Sequence, residues 1–178
     1  MKKVCLLSVI VLIFILASCG PKFVAPKTTS GDQIEIKVTV DPNLVDTLSV
    51  DQANARTKLA EWMQRDLFNK FKSAGYKAVA VNFKESNSAG LVDNSYQVNI
   101  QFLKVHFQNK AARFFVGIAA GPAIMTIDYN MDGKDNPGIL KDEKTIDSVK
   151  GEYVCAQALN KTIFSQVHDY MTKKYTSK

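Results

Sequence analysis

Histidine is nearly missing from this sequence: His106 and His168 are the only two in 178 residues. Neither stands at metal-ligand spacing from another histidine, a cysteine or a carboxylate cluster, and the one adjacent acid, Asp169, points elsewhere if the segment is helical. No metal site and no cofactor are expected. Runs of the type G-x-S-x-G, H-E-x-x-H and G-x-x-x-x-G-K-[ST] are also missing, so the compact catalytic signatures are absent and no catalytic residue is assigned; the chain reads as a non-enzyme. Charge of one sign is nowhere concentrated. Lys58, Arg65, Lys72, Lys104, Lys110, Arg113, Lys161, Lys173 and Lys174 are interleaved with acids, which leaves no stripe to track a phosphate backbone and speaks against nucleic acid as a partner. Apolar runs are short as well. Residues 4–16 and 114–126, the second broken by Pro122, both fall below the roughly 20 residues of a spanning helix. There is no internal repeat and no low-complexity tract.

Cysteine is scarce, with three in the chain, and two of them lie at the N-terminus. Lys2 and Lys3 open the sequence, residues 4–16 are apolar except for Ser8, and Leu16-Ala17-Ser18-Cys19 follows. A basic start, a short apolar stretch and small residues before the cut make a secretory signal. The last four residues resemble the lipobox of bacterial lipoproteins. That resemblance implies a diacylglycerol thioether on Cys19, cleavage before it and acylation of its amine, with palmitate as the acyl class. An uncleaved anchor and an ordinary signal with a chance cysteine are the competing readings, and all three put the body of the chain across a membrane. Loss of residues 1–18 from the 178 leaves 160, the size of one domain, and takes the formal charge from +6 to about +4. Cys5 departs with the signal and Cys19 takes the lipid, so an internal disulfide is excluded. Cys155, at the start of an expected helix, reads as a small buried hydrophobe in preference to a low-pKa thiol. Lys173, Lys174 and Lys178 make a basic end suited to anionic headgroups.

Residues 20–32 are rich in Pro, Gly, Ser and Thr and aperiodic; with the lipidated Cys19 they read as a linker of roughly 40 Å reach ahead of a single domain over 33–178. Alternation of Ile34, Ile36, Val38 and Val40 predicts a strand. Asp51 reads as the N-cap of a helix in which Leu59, Met63, Leu67 and Phe71 recur every fourth residue, closed by Gly75. Trp62 sits on the flank of that stripe, at the core edge or, in a second reading, as a partner-binding anchor. Residues 76–83 read as a strand and 85–94 as a loop. Tyr96, Val98, Ile100 and Phe102 hold one strand face, then Leu103, Val105 and Phe107 hold the other, so a β-bulge is expected at Phe102-Leu103. A strand-like segment over 114–131 is broken by Gly117, Gly121 and Pro122. A polar turn covers 132–138, a short strand 145–149, and an amphipathic helix 153–174. The order β-α-β-β-β-β-α predicts an α+β fold, a mixed or antiparallel sheet with two amphipathic helices packed on one face.

Asp128-Tyr129-Asn130-Met131-Asp132-Gly133 reproduces the opening of a calcium loop, but its twelfth position is Ile139 and its lead-in alternates like a strand, so it reads as a hairpin turn. Residues 112–123, ARFFVGIAAGPA, contain Arg113, Val116-Gly117 and Gly121. This resembles the Arg-x-x-Val-Gly-x-x-x-Gly segment of a family of uncharacterised bacterial lipoproteins, a domain of unknown function. In that family the segment follows a strand like 98–107 and precedes one like 124–130, with a late glycine like Gly151 and a final amphipathic helix. The resemblance covers roughly residues 55–172 and departs at Ala119, where the family has glycine. It implies a compartment more than a chemistry. Arg113, Gly117 and Gly121 form the candidate segment, as a structural bend first and an interaction surface second.

The expected function is that of a lipid-anchored, periplasm-facing cell-envelope lipoprotein, a non-enzymatic module that binds another envelope protein or itself. Two alternatives are an apolar-ligand carrier with Phe102, Phe107, Phe114 and Phe115 lining a cleft, and a subunit of an envelope secretion or pore assembly. Gly20 lacks the aspartate that retains such proteins in the inner membrane of some bacteria, which favours the outer membrane.

Overall fold

Alternation places Ile34, Ile36 and Val38 on one face of strand β1 (Gln33–Val40), and all three are buried. The computed structural model describes residues 23–26, 31–40, 50–81, 94–107 and 121–177. Helix α1 (Val50–Ala74) follows, and its four-residue repeat buries Leu59, Met63, Leu67 and Phe71 completely. Asp51 lies inside the helix, one residue past its start, and is not its cap. At the other end Gly75 takes a φ of 98°. Its N–H reaches the Lys72 carbonyl at 3.0 Å and the Tyr76 N–H reaches that of Phe71 at 3.0 Å, a Schellman closure. The Phe71 and Tyr76 rings then meet edge to face at 5.7 Å, the apolar contact that accompanies this cap. Tyr76 therefore belongs to the cap, and the strand after it, β2 (Lys77–Ala80), is shorter than the sequence suggests.

Strands β3 (Ser95–His106), β4 (Ala123–Gly133) and β5 (Asn136–Ser148) complete the sheet, and helix α2 (Glu152–Thr176) ends it. The strand order is β2-β1-β3-β4-β5. Strand β1 is parallel to both neighbours, while β4 is antiparallel to both β3 and β5. The sheet is thus mixed and the fold α+β. The register of β3 against β4 shifts between Phe102 and Lys104. Phe102 opposes Ile127 before the shift and Val105 opposes Met125 after it, all on the core side. Leu103 is the extra residue, and by absorbing it the strand keeps Val105 and Phe107 packed inward while Lys104 and His106 stay exposed.

Strand β5 begins at Asn136, well before the expected 145, and the reason is chemical. It is an edge strand, and two of its inward positions are polar: Lys144 opposite Ile127 and Asp142 opposite Tyr129. They pair with each other at 2.8 Å, and Asp142 also takes the Tyr129 hydroxyl at 3.4 Å. The Lys144 hydrogen bond holds the Asp142 carboxyl below its ordinary range. An apolar-polar alternation never appears in such a strand. Asp132 serves the β4–β5 hairpin, accepting from the Gly138 N–H at 2.7 Å, Asn130 Nδ2 at 2.8 Å and Asn99 Nδ2 at 3.1 Å, so the calcium-like run is a hairpin.

Both helices cover one face of the sheet, with α1 over β1 and β2 and α2 over β4 and β5. The buried apolar residues of β1, α1, β3, β4 and α2 fill the space between the layers. Each such large side chain contributes about 1.5–3 kcal/mol by leaving water. Phe102 is part of this packed interior and not the wall of a cleft; Phe107 packs at its edge, and Phe114 and Phe115 lie outside the described residues. The opposite sheet face is polar, carrying Glu35, Lys37, Gln97, Gln101, Asp128 and Glu143.

Candidate functional site

Helices α1 and α2 run in the same direction. Trp62 meets Tyr153, Met63 meets Asn160, Phe71 meets Phe164 and Tyr76 meets His168, each contact further along both chains. Asn160 is fully buried between them and donates from Nδ2 to the Met63 carbonyl at 2.9 Å and to Asp66 at 2.8 Å. Asp66 in turn pairs with Lys70 at 3.4 Å on the outer surface.

Across this helix pair lie residues 23–26, which the sequence reads as free linker. The Ala25 N–H donates to the Ala74 carbonyl at 2.6 Å, using one of the acceptors that a helix end leaves open. The Phe23 ring stands edge-on to Phe164 and to His168, each at 5.2 Å. A groove of about 770 Å³ opens beside this strap, lined by Phe23, Val24, Asp66, Lys70, Lys161 and Phe164. Phe23 is 39% exposed and Val24 70% exposed at its mouth.

Beneath the strap, Tyr76 Oη lies 2.9 Å from His168 Nδ1, and His168 stacks on Phe164 at 5.8 Å. Burial lowers the His168 pKa against an opposing pull from Asp169, and burial with nearby Asp169 and Asp32 pushes the Tyr76 phenol far up. The phenol therefore keeps its proton and is hydrogen-bonded to a neutral imidazole. A second polar cluster ties the end of α2 to the start of β1. The Tyr175 hydroxyl donates to the buried Asp32 at 2.5 Å, and Lys174 lies over the rings of Tyr96 at 4.8 Å and Tyr175 at 5.0 Å, with a hydrogen bond to the Tyr96 hydroxyl. Burial first, and then Asp32, raises the Tyr175 phenol to about 12. A cavity of about 280 Å³ adjoins it, between α2 and the β4–β5 hairpin.

Of the residues singled out in the sequence, Cys19, Arg113 and Gly117 lie outside the described residues. Gly121 has a φ of 76°, and a Cβ added there would meet nothing within 4 Å. It is glycine for its backbone angle, a bend before β4, and not to admit a close neighbour. Cys155 is fully buried, its Sγ 3.6 Å from the Ala123 carbonyl, and burial raises its pKa. Trp62 is half-buried at the core edge, edge-on to the exposed Tyr153 at 5.4 Å. His106 is exposed on β3. Among the described residues no helix is long and apolar enough to cross a membrane. Sequence reasoning missed the strap because its contacts join residue 23 to 164 and 168, and 25 to 74. The available signal was an aromatic and small apolar residues inside a polar, Pro-containing stretch.

No protein-family model and no curated protein matches this chain. Among solved structures it is similar to a minor lipoprotein from Acinetobacter baumannii, with a TM-score of 0.42 and 10% identity over 78% of this chain and 94% of that one. It is also similar to a hypothetical protein from Chlamydia trachomatis, with a TM-score of 0.43 and 8% identity over 79% of this chain and 97% of that one. Likeness at this level bears on neither site nor activity.

Proposed function

We propose that this chain is a lipid-anchored cell-envelope lipoprotein that faces the periplasm, at the outer membrane, and acts without catalysis as a docking module for another envelope protein. The lipobox at Leu16-Ala17-Ser18-Cys19 supports the anchor. Two or three acyl chains, at about 0.8 kcal/mol per buried methylene, hold a protein on its membrane, and confinement there lets weak contacts suffice.

One observation carries the docking role. Where α2 begins, Val149, Tyr153 and Val154 are 54%, 46% and 38% exposed, and Tyr153 is braced edge-on by Trp62. Large apolar side chains gathered around a braced aromatic are the composition of an interface centre. Trp62 precedes Ala74 by twelve helical residues, so the patch stands about 18 Å along α1 from the strap. It is therefore free to meet a partner while the other end is tethered. The carrier reading has less support, because the interior between sheet and helices is filled by side chains such as Phe102.

The test is photo-crosslinking in intact cells from a probe at Tyr153, with a probe at Glu143 on the polar sheet face as control. A discrete protein adduct from position 153, absent from position 143, is expected. Equal or absent capture from 153 would overturn the docking role, and co-purified lipid in place of protein would favour the carrier.

A further inference from the structure

We infer that the outer surface of the α1/α2 pair around residues 23–24 lies against the lipid headgroups of the same bilayer that holds the Cys19 anchor, turning the polar face of the sheet away from it. The inference rests on the proposed lipidation of Cys19 and adds to it an orientation.

Chain length is the first argument. If residues 20–32 were a free tether, the domain would begin at Gln33, fourteen residues from Cys19, and could drift roughly 45–50 Å from the lipid. The strap shortens that leash. Residue 23 is four residues from Cys19, so its backbone lies within roughly 14 Å of the lipidated residue whatever path the four take. A headgroup layer is itself about 5–8 Å thick on each side of the hydrocarbon. The docked strap is held by the Ala25 N–H to Ala74 carbonyl bond and by the Phe23 edge contacts with Phe164 and His168, so the leash ends on the helix layer and on no other face.

Surface chemistry is the second argument. Val24, at 70%, is the most exposed large apolar side chain described, and Phe23 beside it is 39% exposed. Aromatic and aliphatic groups at the end of a short lipid leash match the interfacial zone, where apolar bodies sit among headgroups. Lys161 and Lys70, the latter paired with Asp66, line the same groove, and their aliphatic stems can cover apolar surface while the Lys161 ammonium meets anionic lipid. Because the helices are parallel, Lys72 and Lys173 of their last turns lie toward this end as well, while Lys174 is turned to the Tyr96 hydroxyl. The open sheet face is mixed in charge, with Glu35, Asp128 and Glu143 beside Lys37, Lys77 and Lys141, and it lies a full layer further from residue 23.

The test uses the full-length lipidated protein in vesicles of zwitterionic and anionic phospholipid, its N-terminal modification verified by intact mass on the same preparation. An environment-sensitive fluorophore is placed at Ser73 on the groove or at Glu143 on the sheet, in a Cys155→Ala background, and quenched by a headgroup-borne quencher. Severalfold stronger quenching at position 73 than at 143 is expected, with the difference lost in Phe23→Ser while vesicle binding persists. Equal quenching at both positions in vesicle-bound, lipidated protein would overturn the orientation and leave the anchor standing. An unmodified Cys19 would overturn the anchor and the orientation together.

Discussion

His168 shows how much of this molecule's behaviour is set by single contacts. Its imidazole is held neutral by burial, shares a hydrogen bond with the Tyr76 hydroxyl and meets the Phe23 ring in a T-shaped contact. A base whose folded pKa lies below its ordinary 6.5 stabilises the fold fully above that value and loses the contribution as pH falls toward the lowered pKa. Stability should therefore fall between pH 6.5 and more acid conditions, by at most about 1.4 kcal/mol per pH unit for one proton. Urea unfolding at pH 7.5 and 5.5 checks this, and His168→Gln should flatten the dependence. A wild type that is equally stable at both values, once other groups are matched by the variant, would contradict it. None of this was legible in the sequence, where His168 has only Asp169 beside it; the neighbours that matter come from residues 23, 76 and 164. Cys155 is the opposite case. A lone thiol at the start of a helix with apolar fourth neighbours already reads as a core residue, and it is one.

At the scale of elements, legibility followed solvent. Strands β1 and β3 have one wet face and one dry, so Ile34 to Val40 and Tyr96 to Phe102 alternate and could be read directly. The phase slip at Phe102-Leu103 was readable for the same reason, because a bulge is the only way to keep both halves of a strand on one core. Deleting Leu103 should leave Val105 and Phe107 inward, because it removes only the residue that the bulge absorbs, at a cost under about 1.5 kcal/mol, whereas deleting Asn99 from the regular part of the strand should turn Ile100 and Phe102 outward at a cost of at least about 3 kcal/mol. Chemical denaturation of the two variants compares them directly; equal costs would mean that the bulge does not set the register. Strand β5 was not readable beyond its end because Asp142 and Lys144 occupy inward positions at a sheet edge, where each satisfies the other. The strap was missed for a related reason. A segment held by one ring and one hydrogen bond has no period, and only its distant partners on α1 and α2 give it a place.

For the whole molecule, two parallel helices on a mixed sheet give the protein distinct ends. The strap, the cap at Gly75 and the basic last turns lie toward one, and the Trp62–Tyr153 patch lies toward the other. The proposed anchor would tether the first and leave the second free for the proposed docking. The lipidation proposed at Cys19 rests on four consecutive residues, whereas the groove beside residues 23–24 depends on contacts between residues some 140 apart and had no such local signal. The account depends most on that cysteine. The measurement that tests it most directly is mass spectrometry of the N-terminal peptide from the membrane fraction. The account predicts a chain beginning at Cys19 that carries a diacylglycerol thioether and an acylated amine, with Cys19→Ala retaining Ser18. An unmodified Cys19, or an intact Ser18-Cys19 bond in the wild-type protein, would contradict it.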